Sequence, residues 1–220
     1  MPVTYEQVKH DPAIRCYIEE ADKALATLGY TEHSYAHVTK AAVSAAMILT
    51  RLGYPGREVE LARIAGYMHD IGNVVNRIDH AQSGAMLAFR ILDRMGMEPA
   101  EIAKVISAIG NHDESTAAAV NPIAAALILA DKTDVRRTRV RNRDFSTFDI
   151  HDRVNYAVEE SELKFPEDGK AVALELTLDT SICPVMDYFE IFLQRMLLCR
   201  KAADYLNITF ELIINGQRIL

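Results

Sequence analysis

Cysteine is scarce in this chain. Cys16, Cys183 and Cys199 are its only three, odd in number, far apart and outside any Cys-x-x-Cys arrangement. That argues against a disulfide-stapled scaffold and a structural cysteine–zinc site, and it fits thiols kept reduced in a cytoplasm. Long apolar runs are missing as well: nothing approaches the roughly 18 consecutive residues of a spanning helix. The opening MPVTYEQVKHDPAIRC has no basic segment followed by an apolar one, so secretion and membrane contact are not expected. Positive charge is in deficit, 24 Lys and Arg against 31 Asp and Glu for a formal net charge of -7. Nonspecific binding to nucleic acid is therefore disfavoured, since it depends on neutralising phosphates. The arginines at 136, 137, 139, 141 and 143 are a local exception that could meet an anionic substrate or a nucleic-acid phosphate; the favoured reading is a solvated surface segment balanced by Asp134 and Asp144. Internal repeats and low-complexity linkers are absent.

Half of the 220 residues are apolar, enough for one substantial core. Ile14, Ile18, Ala21 and Leu25 recur every three or four positions before Gly29, and Val38, Ala41, Ala45, Ile48, Leu49 and Leu52 do so before Gly53. The spacing predicts amphipathic helices closed by glycine. Further helices are predicted over about 57–70, 80–95, 99–111 and 121–135, the last opened by Asn121-Pro122. Beyond about residue 145, Val172 to Leu178 and Ile208 to Ile214 alternate with a period of two, predicting strands on either side of a helix from Val185 to Tyr205. A third strand is placed within 153–165, a stretch equally open to a helix. The expected fold is mainly α: a helical body over 1–145, then a small α+β appendage over 146–220, docked on the body.

Against this background stand His37, His69, Asp70, His80, His112 and Asp131, each on or at the end of a predicted helix, with His33 beside them. Charged and imidazole groups entering an apolar core are costly unless they pair or bind a cation. Taken singly, each histidine reads as a hydrogen-bonded core residue and Asp131 as a surface acid; together they are the ligands a helical bundle projects inward onto a metal. Imidazole with carboxylate suits zinc, iron, manganese or another first-row divalent ion. Asp70 has two oxygens and can bridge two ions. His10 and His151 read as surface groups.

The order of a single histidine, a His-Asp doublet and a distant aspartate resembles the HD-domain metal-dependent phosphohydrolase superfamily. Ala36-His37-Val38, Tyr67-Met68-His69-Asp70-Ile71-Gly72, His80-Ala81-Gln82-Ser83-Gly84, Asn111-His112 and Ala130-Asp131-Lys132 carry the resemblance over roughly residues 30–140. It implies a helical bundle. His80 and His112 make the chain similar to the two-metal subgroup, which implies two divalent ions bridged by Asp70. Two departures stand out. Asn73 occupies a position where many two-metal relatives have lysine, and 71–75 lack the acidic pair of guanosine tetra- and pentaphosphate hydrolases, so that substrate is disfavoured.

The resemblance implies cleavage of a phosphate ester or anhydride of a small molecule, with nucleotides favoured, by metal-activated water. Arg77, Lys132 and Arg136 would neutralise the substrate phosphate, and Asp70, His33 and Lys132 would serve the chemistry, although His33 reads equally as a surface group. Two rival readings remain: a di-iron oxygenase of the same superfamily, with the same ligand order, and a noncatalytic regulatory module. A homo-oligomer is left open.

Overall fold

A computed structural model describes residues 2–166 and 169–220. Nine α-helices and one four-stranded sheet make up the described residues, a mainly helical fold with its sheet at the C-terminal end. The helices are α1 (Tyr5–His10), α2 (Pro12–Thr27), α3 (Tyr35–Arg51), α4 (Gly56–Met68), α5 (His80–Arg94), α6 (Pro99–Gly110) and α7 (Pro122–Lys132), followed by α8 (Ile150–Ala157) and α9 (Val185–Tyr205). Local chemistry sets their starts. Asp11 caps α2 ahead of Pro12, the Ser34 side chain accepts from the Ala36 amide at α3, and Asn121 accepts from the Ala124 amide ahead of α7, each satisfying amides that lack an intrahelical partner. Gly29 and Gly53, read as helix closures, have positive φ.

Helix α7 is the axis of the molecule. Every residue from Ile123 to Ala130 is buried, the pattern of a helix apolar all round. Helices α3, α4, α6 and α9 pack against it. Burying each of Ile123, Leu127, Ile128 and Leu129 is worth about 1.5–3 kcal/mol relative to exposure, and the helix ends by carrying Asp131 and Lys132 to the centre of the fold.

The stretch left open at 153–165 resolves into both structures. Helix α8 runs to Ala157, and strand β1 (Val158–Lys164) follows directly. β1 pairs antiparallel with β2 (Ala171–Leu178), and β2 pairs parallel with β3 (Thr209–Ile214) in a register that puts Leu174 opposite Leu212 and Leu176 opposite Ile214. β4 (Gln217–Arg218) closes a hairpin with β3. The parallel pair needs a crossover, which is α9. Its buried residues Tyr188, Phe192, Met196, Cys199 and Ala203 recur every three or four positions and seat it on α7 and β3. One continuous apolar cluster runs from Val3 through Leu127 to Ile214, so body and sheet share a core.

Candidate metal centre

Two glycines allow the ligand-bearing segments to meet. A Cβ on Gly66 would stand 2.7 Å from the Ala42 Cα, so α3 and α4 cross backbone to backbone; this brings His37, in the first turn of α3, beside His69, at the end of α4. A Cβ on Gly72 would fall 1.9 Å from the His80 carbonyl oxygen. The short 3-10 turn Ile71–Val74 can therefore press on the first turn of α5, setting Asp70 beside His80. Asp79, just before His80, has φ 57 and ψ 26, a left-handed conformation that Asp tolerates better than most residues.

The six residues read as ligands converge. His37, His69, Asp70, His80 and His112 are buried, and the Asp131 side chain is 11% exposed. His37 Nε2 lies 3.2 Å from His69 Nε2, 3.5 Å from Asp70 Oδ2 and 3.3 Å from Asp131 Oδ1. His80 Nε2 lies 3.2 Å from His112 Nε2 and 3.6 Å from Asp70 Oδ1. The two oxygens of Asp70 thus face two different histidine pairs. A third grouping, His69, His112 and Asp131, also converges within 4.8 Å, so the pairs are contiguous.

Hydrogen bonding on the far side of each ring identifies what these groups await. The Nδ1 atoms of His69, His80 and His112 each meet the carbonyl oxygen of the residue three earlier: Gly66 at 2.8 Å, Arg77 at 3.1 Å and Ile109 at 2.6 Å. A carbonyl only accepts, so each Nδ1 carries a proton, and where the ring is neutral it turns a bare lone pair inward at Nε2. His37 Nδ1 is held by Asp134 Oδ2 at 2.8 Å, a carboxylate partner of the kind that orients metal-ligating imidazoles. Burial holds the His112 pKa down to about 3 and lowers that of His80 too, so these two rings are neutral and have no proton to share across 3.2 Å. Two lone pairs facing at that distance repel unless a cation joins them. Two nitrogens 3.2 Å apart subtend roughly 100° at an ion about 2.0–2.1 Å from each. The donor set fits a divalent ion.

The other pair is charged differently. Burial opposes protonation of His69, but the charge of Asp70 and the bond to Asp131 outweigh it and raise its pKa to about 10. His37 is raised by its bonds to Asp131, Asp134 and Asp70 against burial and the Arg139 charge. Despite their burial, Asp70 and Asp131 are held well below the ordinary carboxylate range, Asp70 chiefly by His69 and Asp131 chiefly by Lys132.

The centre opens into a cavity of about 260 Å³. Asp70, His80, His112 and Asp131 line it, as do Arg77, Lys132 and His33. His33 precedes α3 rather than sharing its first turn, with Nδ1 on the Thr31 carbonyl at 2.7 Å; burial and Arg139 push its pKa well down. Arg77 has no carboxylate partner among the described residues, and its Nη1 lies 3.4 Å from His80 Nε2. Lys132 Nζ lies 2.7 Å from Asp131 Oδ2. Arg136 is not brought to the cavity: its guanidinium is spent on Asp134 and Glu32, at 2.9 Å each. The arginine segment is accordingly a solvated surface only in part, with Arg141 and Arg143 exposed and Arg139 buried. Arg139 is 5% exposed, and Arg141 is ion-paired to Asp22. Asp134 is drawn inward to His37, while Asp144 caps a short turn at Ser146.

Several residues at the site were not read as such from the sequence. Asn73 Nδ2 donates to Asp70 Oδ1 at 2.9 Å, orienting the carboxylate from the position where relatives carry lysine. Asp134 carries a signal of its own, a second acid three residues after Asp131, which the count of surface charges absorbed. Arg195, Phe192 and Asn155 reach the cavity from the C-terminal segment, and His151 stands exposed on its rim. Nothing in local periodicity points to them. His10 is a surface group, bonded to the Glu6 carbonyl in its own helix.

Comparison with protein families matches residues 34–189 to the HD domain. Eight chains among solved structures match. One is a predicted HD superfamily hydrolase from an uncultured Thermotogales bacterium, 26% identical, covering 58% of this chain and 69% of that one with a TM-score of 0.45. No curated protein matches. No described helix is long and apolar enough to cross a membrane.

Proposed function

The chain belongs to the HD domain family, and from that premise we propose that it is a metal-dependent phosphohydrolase acting on a phosphate ester or anhydride of a small molecule, nucleotides among them. The observation that carries this reading is the division of the Asp70 carboxylate, with Oδ2 toward His37 and His69 and Oδ1 toward His80 and His112. In this reading His37, His69, Asp131 and one Asp70 oxygen hold one ion, and His80, His112 and the other oxygen hold a second. Such ions, when bound, supply Lewis acidity, lowering the pKa of water and withdrawing charge from a phosphoryl oxygen. Manganese, iron and zinc all suit the donors.

The chain's own groups do the rest. Arg77, lining the cavity beside His80, binds phosphoryl oxygens, for which a guanidinium without a carboxylate partner is well suited. Lys132 holds Asp131 in place and faces the oxygen on which charge develops. His33, neutral and protonated at Nδ1, offers Nε2 as an acceptor that orients the attacking water.

Metal quantification on the purified protein, followed by a phosphate-release screen over small phosphates under nitrogen with the native metal, tests the reading. Expected are close to two ions per chain and phosphate release without oxygen. Redox-active iron with substrate-dependent oxygen uptake and no phosphate release would replace it by the oxygenase alternative.

A further inference from the structure

The roles above leave two cations in the cavity without a task. Arg139 is 5% exposed and lines the wall. Its Nε donates to the Glu32 carbonyl and its Nη1 to the Asp134 carbonyl, each at 2.9 Å. These neutral acceptors fix the direction of the guanidinium without matching its charge. Asp134 Oδ2 is 3.7 Å away, and that carboxylate already serves His37, Lys40 and Arg136.

Arg195 reaches the same wall from α9. Its guanidinium stacks 4.6 Å from the centre of the Phe192 ring, and Phe192 also lines the cavity. Its Nε faces Glu114, a carboxylate shared with Lys132 at 3.9 Å. Burial lowers the pKa of Arg139, Asp134 and Asp131 oppose that, and the charge of Arg195 adds to it; both guanidiniums line the same cavity. Among the wall's other acids, Asp131 offsets part of the Arg139 charge but is itself bonded to Lys132 and the histidines. Asp149 is exposed and accepts from the Asp152 amide at 2.8 Å, capping α8, and Asp152 accepts from Asn142 at 3.2 Å. A buried guanidinium whose nearest carboxylate is shared with other cations, with a second guanidinium on the same cavity wall, favours an anion in that cavity.

We propose that Arg139 and Arg195 form a second anion subsite in the cavity onto which the metal-ligand cluster opens, so that the substrate is a phosphate ester or anhydride whose leaving group carries a further anionic group, a carboxylate or another phosphate. The inference rests on the phosphohydrolase reading for what binds at the cluster. It goes beyond that reading by assigning the leaving group a charge and by giving the C-terminal segment a part in choosing substrate.

The test is calorimetric titration of the metal-loaded full chain with phosphonoacetate, 3-phosphonopropionate and 4-phosphonobutyrate, each against its carboxyl methyl ester. These probes are not hydrolysed, and acid and ester differ at the distal end by the charge and one methyl group. For at least one length the acid should bind about ten-fold or more tightly than its ester. That ratio should fall to about one in Arg195→Met and invert in Arg195→Glu, a reversal that loss of packing alone does not produce; the Arg195 side chain is 27% exposed, so both variants are expected to fold. Equal binding of acid and ester at every length overturns the subsite while leaving the phosphohydrolase reading in place. So does an equal loss for acid and ester in Arg195→Met, which would make Arg195 a holder of the phosphoryl end. Binding of none of the probes, nor of inorganic phosphate, overturns the phosphohydrolase reading and this inference with it.

Discussion

The two histidine pairs at the centre are built alike in shape and unlike in charge. Around His37 and His69 stand Asp131 and one Asp70 oxygen, with Asp134 behind His37. Around His80 and His112 stand only the other Asp70 oxygen, Asp113 at 3.9 Å from His80 Nδ1 and Arg77 beside His80. The carboxylates of the first pair raise the pKa of both its imidazoles, that of His69 to about 10, while burial keeps the second pair neutral. Spacing fits both pairs to a cation, but the surrounding charge makes the first the stronger site and the one that must give up a proton on loading.

That difference can be broken outright. Asp70→Ala removes the oxygen each pair relies on; kcat/KM should drop about a thousand-fold or more, ~4 kcal/mol, with metal content falling at both positions. Full occupancy by elemental analysis would refute the bridge. Separate truncations sharpen the contrast. His112→Ala should leave about one ion per chain, whereas His69→Ala should leave less, because the stronger position is lost; equal losses would make the pairs equivalent.

Asp134→Asn weakens the hold on His37 Nδ1 and should cost about ten- to a hundred-fold in affinity at the first position, read by competition with a chelator, with the second position little changed. The pH dependence follows from charge. With its pKa raised to about 10, His69 binds metal only by losing a proton, so affinity at the first position should rise with pH from neutrality toward 10. His112, with its pKa lowered to about 3, predicts a flat response at the second. In the metal-free protein the protonated His69 contributes stability that is fully present below its ordinary pKa near 6.5 and lost as pH rises through about 10, a fall visible in denaturant midpoints. The smallest effect belongs to Asn73→Ala, which frees Asp70 Oδ1 from one hydrogen bond of roughly 1 kcal/mol and should lower turnover several-fold with metal content near normal.

Much of this was legible in the sequence where the signal is local. Period and caps place α2 to α7 and α9 within a few residues, because most bury an apolar stripe that repeats every three or four positions and α7 is an apolar run opened by Asn121-Pro122. His69-Asp70 is conspicuous for polar groups following an apolar run. The segment 150–164 was not legible, since Val154, Ala157 and Val158 satisfy helix and strand alike and pairing with β2 decides the outcome. Arg195 escaped for a different reason. An arginine on a cavity wall looks, in sequence, like an arginine in solvent, and only the packing of α9 on α7 brings it there.

His69, His80 and His112 are each steered by a carbonyl three residues back in their own chain. Ring orientation is therefore written into single turns of backbone and does not await the ion. Crystals grown with and without metal should superpose at these imidazoles, and replacing one first-row ion by another should change bond lengths without re-aiming a ring. Rings fixed in this way aim their donors but do not by themselves choose among first-row ions.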